Sequence, residues 1–431
     1  MSASVALPPV ALYVHVPFCV SLCPYCDFVV YTGRAARGPA ARVGAFLAAL
    51  HVELDLRADA LDSRFGRVAE GGRRQALGSV YLGGGTPSLL PARDVAALLD
   101  HVERRLGIAA GAEITLEANP GPDERGDLAG FRAAGVTRLS LGAQSLHDDE
   151  LRGLGRRHRA ADVGSAMRDA RWAGFKDISL DLLYDVPGQT LGTWQSTLEA
   201  AADLGPDHVS TYALTLDDPD AEGLTGPSGD HLPLRRGARA WRQRARAGQD
   251  EDRAAEMDAA ADATLTAAGL GRYEIANHAR HGHESRHNLV YWHRRPYEAL
   301  GPGAHAFDGD RERRWNAGRL DAWLAALLPP DGLPPRLPPG GAERMSAATA
   351  RSESVILALR LSEGVGPDVA GDPAFAPALA WAVESDLADR SGARLRLTPR
   401  GRMLSNEVFV RLLPVEEPRS AREPVEEVAA A

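Results

Sequence analysis

Three cysteines occur in the 431 residues, and all fall within eight positions, as Cys19, Cys23 and Cys26 of CVSLCPYCDF. An odd number so tightly grouped cannot staple distant parts of a chain, so they are not a disulfide framework. Three small core hydrophobes would not need to cluster. The spacing C-x3-C-x2-C places three thiolates on a short loop able to wrap one face of a cubane [4Fe-4S] cluster. One iron is then left without a protein ligand and open to a small molecule. Tetrahedral zinc is the rival; it needs a fourth ligand such as His15, and the spacing is not the usual paired C-x2-C.

Other chemistry-bearing groups stand where apolar runs end. Gly83, Gly84, Gly85, Thr86 and Pro87 follow SVYL; their missing side chains let backbone approach a ligand, or simply make a tight turn. Glu117 ends the run in LEANP, Gln144 in LGAQS, and Asp181 and Asp185 lie in DLLYDVPGQT. A bare carboxylate among apolar neighbours is costly unless it meets a partner or caps a helix. Arg156 in LGRRHR carries a planar fork suited to a carboxylate. Tyr25, beside the third cysteine, covers the cluster or packs the loop. Further on, His278, His281, His283, His287 and His293 crowd one polar stretch. Most histidines in such a stretch are simply solvated, although a neutral imidazole can also ligate a metal such as zinc.

These groups need elements to hold them. Apolar, β-branched runs recur at ALYVHV (11–16), SVYLGGG (79–85), EITLEANP (113–120), RLSLGAQS (138–145), ISLDLLYD (178–185) and HVSTYALT (208–215). Segments of helical period lie between them at 43–57, 94–106, 123–134, 161–173 and 191–204. Such βα units predict parallel strands and a partial (β/α)6, TIM-like barrel, an α/β fold whose functional groups gather at the carboxyl ends of the strands. The barrel is expected over 1–216. A helical stretch (235–269) and a Gly- and His-rich segment (271–307) extend it over 217–326. A Pro/Gly-rich linker (327–341) then leads to a smaller, mainly helical domain (342–413) and a disordered acidic tail (414–431).

The bulk numbers narrow the class. A hydrophobic content of 44% is enough for a sizeable buried core, and a net charge of −9 gives no electrostatic reason to expect nucleic acid. The amino terminus lacks the basic region of a signal peptide, and its apolar stretch is broken by Pro8 and Pro9. No run approaches the roughly 18 to 20 apolar residues that span a bilayer. A cytoplasmic protein is expected, with any membrane contact peripheral.

The cysteine loop after the first strand resembles the signature of the radical S-adenosylmethionine (SAM) superfamily, in which SAM chelates the open iron. The resemblance implies reductive cleavage of SAM to a 5′-deoxyadenosyl radical, a chemistry that the cofactor carries. Across 11–215 the set YVHVPFC, GGGTPS, EANP, LGAQS and DLLYDVPGQT resembles the coproporphyrinogen-oxidase-like branch of that superfamily. It implies SAM contacts at Tyr13, Gly85, Glu117, Gln144, Arg156 and Asp181, with Gly84 and Thr86 in the same turn. Within the branch, two classes of function compete: an oxygen-independent coproporphyrinogen III oxidase, and a haem chaperone. The oxidase pattern carries a further cysteine two residues beyond the third ligand, where this chain has Phe28. HNLVYW (287–292), followed by ALGPGAHAF (299–307), resembles the motifs of HemW-type haem chaperones. That resemblance implies haem at His287, Tyr291 and Trp292, and acceptor haem proteins of the respiratory chain as partners. Whether SAM is cleaved is left open. RSESVILALRLSEGV (351–365) resembles the carboxyl-terminal region of the branch and reads as a packed amphipathic helix.

Overall fold

The computed structural model describes residues 6–36, 41–68, 74–330 and 332–414. All six apolar runs are strands: β1 (Ala11–Val16), β2 (Leu77–Gly84), β3 (Ile108–Ala118), β4 (Arg138–Gln144), β5 (Asp177–Tyr184) and β6 (His208–Ala213). Helices α1 (Val43–Phe65), α2 (Ala92–Leu106), α3 (Leu128–Ala133), α4 (Asp148–Gly153), α5 (Ala160–Trp172) and α6 (Leu191–Asp203) run between them. Neighbouring strands pair in parallel and in chain order.

Side chains alternate across these strands, and the alternation sorts them by polarity. Val80 and Leu82, Ile114 and Leu116, Leu139 and Leu141, and Leu180 and Leu182 are buried in one core with Phe46 and Leu50 of α1, Leu98 and Val102 of α2, and Trp194 of α6. Burying each such side chain contributes about 1.5–3 kcal/mol. The opposite face is polar. Register sets Tyr81 beside Thr115, Glu117 beside Ser140, Ser140 beside Ser179, and Asp181 beside Ser210. The lumen of the partial barrel is therefore a hydroxyl- and carboxylate-bearing wall.

After β6 come α7 (Arg236–Arg246), α8 (Glu251–Ala267), β7 (Gly271–Arg272), β8 (Asn277–Ala279), α9 (Arg286–Trp292), β9 (Tyr297–Leu300), β10 (His305–Phe307), β11 (Glu312–Asn316), α10 (Leu320–Leu327), β12 (Gly340–Arg344) and α11 (Ala347–Arg360). The sheet stays open. β9 extends it in parallel beside β1, followed by antiparallel β10, β11 and β12, while β8 and β7 extend it beyond β6. Short α9 seats where the strands begin: Ser79 is level with Ala11 and Glu113, and the Glu113 carboxylate accepts from the backbone N–H groups of Arg286 (3.1 Å) and His287 (2.9 Å).

Beyond β12, four further helices and the hairpin of Ala388–Ser391 with Arg394–Leu397 gather with α11 around a core of their own, including Val355, Leu359, Leu379, Leu395 and Val408. β12, at the seam between the expected linker and small domain, belongs to the main sheet. Two helical expectations are shortened. Over 123–134 only Leu128–Ala133 is helical, because Gly126 takes a φ of 67° and Asp127 then caps the helix through Gly130 N. Over 235–269 the helix breaks near Gly248, and Asp250 caps α8. Residues 415–431, expected as a disordered tail, lie outside the described residues. Among the described residues no helix is long and apolar enough to cross a membrane.

Candidate functional site

The cysteine loop leaves β1 through buried Phe18, whose ring meets Phe46 edge-on at 5.3 Å. Its two ends are pinched together, since Tyr31 N donates to Pro17 O and Cys19 N to Tyr31 O (3.1 Å). Buried Arg242 of α7 fixes the middle. Its guanidinium donates to the carbonyls of Pro24 (3.0 Å), Tyr25 (3.0 Å) and Cys26 (3.1 Å), and pairs with Asp27. Thr86 donates to Cys19 Sγ (3.3 Å), and Arg156 to Cys23 Sγ (3.7 Å). Burial pushes the Cys19 thiol up to about 11 and raises Cys26 further, where the other two cysteines add repulsion. Burial and mutual repulsion of this kind keep Cys19 and Cys26 protonated unless a positive centre stands beside them.

The donor set fits a cluster better than zinc. Among the described residues, no three His, Cys, Asp or Glu side chains converge tightly enough to hold one metal ion. Cysteines spread around a loop suit a multinuclear cluster, where each thiolate takes its own iron. His15 is not a fourth ligand: it is buried, with Nε2 on Val29 O (2.8 Å) and Nδ1 on Tyr13 Oη (3.0 Å).

Above the polar lumen, the three cysteines border a chamber of about 360 Å³, within the range of small-molecule sites. Tyr25, Gly84, Gly85, Thr86, Glu117, Gln144, Arg156 and Asp181 all line it. Glu117 accepts from Tyr81 Oη (2.8 Å) and Gly84 N (2.9 Å), and burial, reinforced by Asp181, lifts its carboxyl to about 7. Gln144, at a φ of 67°, pairs through its backbone with Leu182, while its side-chain amide has no hydrogen-bond partner among the described residues. Asp181 is already served by the hydroxyls of Ser140 (2.9 Å) and Ser210 (2.9 Å). Arg156 is committed to Asn119, Gly142 O (2.8 Å) and Cys23. The glycines bring β2 against β1 rather than opening room: a Cβ on Gly85 would stand 2.6 Å from Val16 O, and one on Gly84 2.3 Å from the His15 ring.

Two expected residues sit elsewhere. Tyr13, expected at SAM, borders a second, side cavity of about 370 Å³ rather than the chamber. His287, expected as an iron ligand, lines neither cavity. It is 1% exposed, with Nδ1 on Ser79 Oγ (2.9 Å) and Nε2 on Tyr291 Oη (2.8 Å), and burial pulls it down to about 3. It props Tyr291, which does line the side cavity together with Trp292. Phe28, 62% exposed, lines both cavities.

Sequence reading missed Arg242, which looked like one solvated arginine among many on a helix. It also missed Tyr81, Asn119 and the lumen serines. Those were detectable, since polar residues fall on every second position of otherwise apolar strands.

The sequence profile of the Radical SAM superfamily matches residues 13–201. The chain is 37% identical over 406 residues to the heme chaperone HemW of Mycobacterium tuberculosis, covering 94% of this chain and 95% of that protein. To the heme chaperone HemW of Escherichia coli it is 35% identical, covering 70% of this chain and 71% of that one. Among solved structures, coproporphyrinogen III oxidase (HemN) from Escherichia coli, a radical SAM enzyme, superposes with a TM-score of 0.74 at 21% identity, over 95% of this chain and 91% of that one. At that identity the likeness is one of fold.

Proposed function

The chain belongs to the HemW-type haem chaperones of the radical SAM superfamily, and from that premise we propose that it carries a [4Fe-4S] cluster, SAM and haem, and delivers the haem to acceptor haem proteins. Cys19, Cys23 and Cys26 are the cluster ligands in this reading. When bound, the cluster offers an open iron for a chelating amino acid and, on reduction, an electron for its sulfonium. This chain's residues position that partner. Gln144 is the unengaged donor and acceptor, and Glu117 is the carboxyl able to meet an ammonium. Ser140 and Ser210 hold Asp181 in place. The haem reading rests on Tyr291 and Trp292, two aromatic faces on a cavity that shares Phe28 with the chamber. One observation carries the whole: the loop that bears the cysteines forms a wall of both cavities.

In this reading the acceptors are respiratory haem proteins, reached by peripheral contact from the cytoplasm, a compartment whose reducing conditions suit unpaired cysteines. The test is transfer. Haem-loaded protein with reconstituted cluster, mixed with an apo-cytochrome, should lose its Soret absorbance as the acceptor gains the spectrum of its haem form. Anaerobic incubation with SAM, reductant and coproporphyrinogen III should yield no protoporphyrinogen; its formation would replace haem carriage by the oxidase reaction.

A further inference from the structure

In the side cavity Asp230 bridges two histidines. His231 Nδ1 lies 2.9 Å from Asp230 Oδ1, and His305 Nε2 lies 2.7 Å from Asp230 Oδ2. The second ring nitrogen of each, His231 Nε2 and His305 Nδ1, has no protein hydrogen-bond partner among the described residues. A carboxylate on one imidazole nitrogen fixes the tautomer, orients the ring and makes the other nitrogen the better metal donor. His305 is further held by stacking on Trp315, with centroids 5.9 Å apart.

The surroundings suit a flat apolar ligand. Tyr291, Trp292, Tyr297 and Phe28 present rings to the cavity, and Trp292 Nε1 is buried without a partner. Arg360 of α11 lies over the Trp292 ring at 4.3 Å, fixing it from the carboxyl-terminal region. His287, by contrast, stands behind Tyr291 with both nitrogens engaged.

Resting on the haem-binding reading above, we propose that haem occupies this side cavity and that its iron is ligated by the Asp230-bridged pair, through His231 Nε2 with His305 as its partner. His287 is then a positioning residue that acts through Tyr291. Haem placed here lies across Phe28 from the cluster chamber.

The experiment is a titration of the full-length, cluster-loaded protein with hemin, read as Soret difference spectra and low-temperature electron paramagnetic resonance of the ferric iron. The double variant His231→Ala with His305→Ala should lose the imidazole-ligated spectrum and bind hemin at least about tenfold more weakly. Asp230→Asn should keep binding but alter the ligand-field signature. His287→Ala should weaken binding while retaining the imidazole-ligated signature, and thermal unfolding monitors the fold of each variant. An unchanged spectrum in the double variant, or loss of the imidazole signature in His287→Ala alone, overturns this assignment and leaves haem carriage standing. Failure of the wild-type protein to take up hemin overturns the haem reading itself, and the assignment with it.

Discussion

The chamber at the barrel mouth is lined mainly by the cysteine loop after β1 and by β2 to β6 and their following turns, whereas the side cavity draws most of its wall from residues after β6, among them Asp230, His231, Tyr291, Trp292, Tyr297 and His305. The two meet at Phe28. One is walled by carboxyls, hydroxyls and thiols set in register by parallel pairing; the other is walled by aromatic rings and a carboxylate-bridged histidine pair. The difference teaches how a repeating scaffold and its extension divide labour. Strand register can aim many polar groups at one small, charged ligand. A large flat ligand instead needs broad faces, supplied here by a short helix, α9, and by β9 and β10, which extend the sheet beyond β1.

If the two regions are separate in their chemistry, changes should fall on one and spare the other. The largest effect is expected from Cys23→Ala, which should reduce cluster iron and sulfide to near background while hemin affinity changes far less, because Cys23 borders the chamber and not the side cavity. Iron and sulfide analysis alongside hemin titration checks this, and a parallel loss of hemin binding would mean that the cluster is what orders the loop wall shared by both cavities. Next comes Arg242→Ala, which strands the carbonyls of Pro24, Tyr25, Cys26 and Asp217 and the Asp27 carboxylate around a buried hole. Removing one partner of a buried charged network costs about 3 kcal/mol, so the melting temperature should fall and the cluster should leach within a desalting run; Arg242→Lys should restore little of this.

The third effect concerns pH. Glu117 stands at about 7 against an ordinary 4.5, so between those values the folded chain keeps a proton that the unfolded chain has lost. Its contribution to stability is therefore complete below pH 4.5 and is lost as pH rises to about 7, an effect of up to ~3 kcal/mol. In thermal unfolding of protein without cluster or SAM, Glu117→Gln should flatten that fall, and an identical pH profile would remove Glu117 as its source. The smallest effect is that of Tyr291→Phe, which keeps the ring but deletes the hydrogen bond to buried His287. A loss of about 1 kcal/mol in urea unfolding is expected, with cluster content untouched and hemin binding weakened only mildly.

The six strands and the placing of functional groups at their ends were readable because both rest on local pattern, apolar runs punctuated by Gly, Pro and polar residues. Of the chamber's wall, Gly84, Gly85, Thr86, Glu117, Gln144, Arg156 and Asp181 were named from the sequence, while Tyr81, Asn119 and the lumen serines were not. His287 was harder, because a motif records neighbours along a helix and not which of them faces a void. On α9 the imidazole turns inward to Ser79, while Tyr291 and Trp292 border the side cavity. Helix 123–134 was overextended because periodicity carries no record of the positive φ at Gly126.

By itself the sequence determined that the three cysteines share one local site, since they fall within eight residues, and that the strands form a parallel βα array, since strand and helix periods alternate through residue 216. Only the tertiary structure decided what holds that loop and what borders it. Arg242 lies more than 200 positions from Cys26, and Asp230 joins His305 across 75. Contacts of that span arise when the sheet opens and the later segments fold back over it, which no local period encodes.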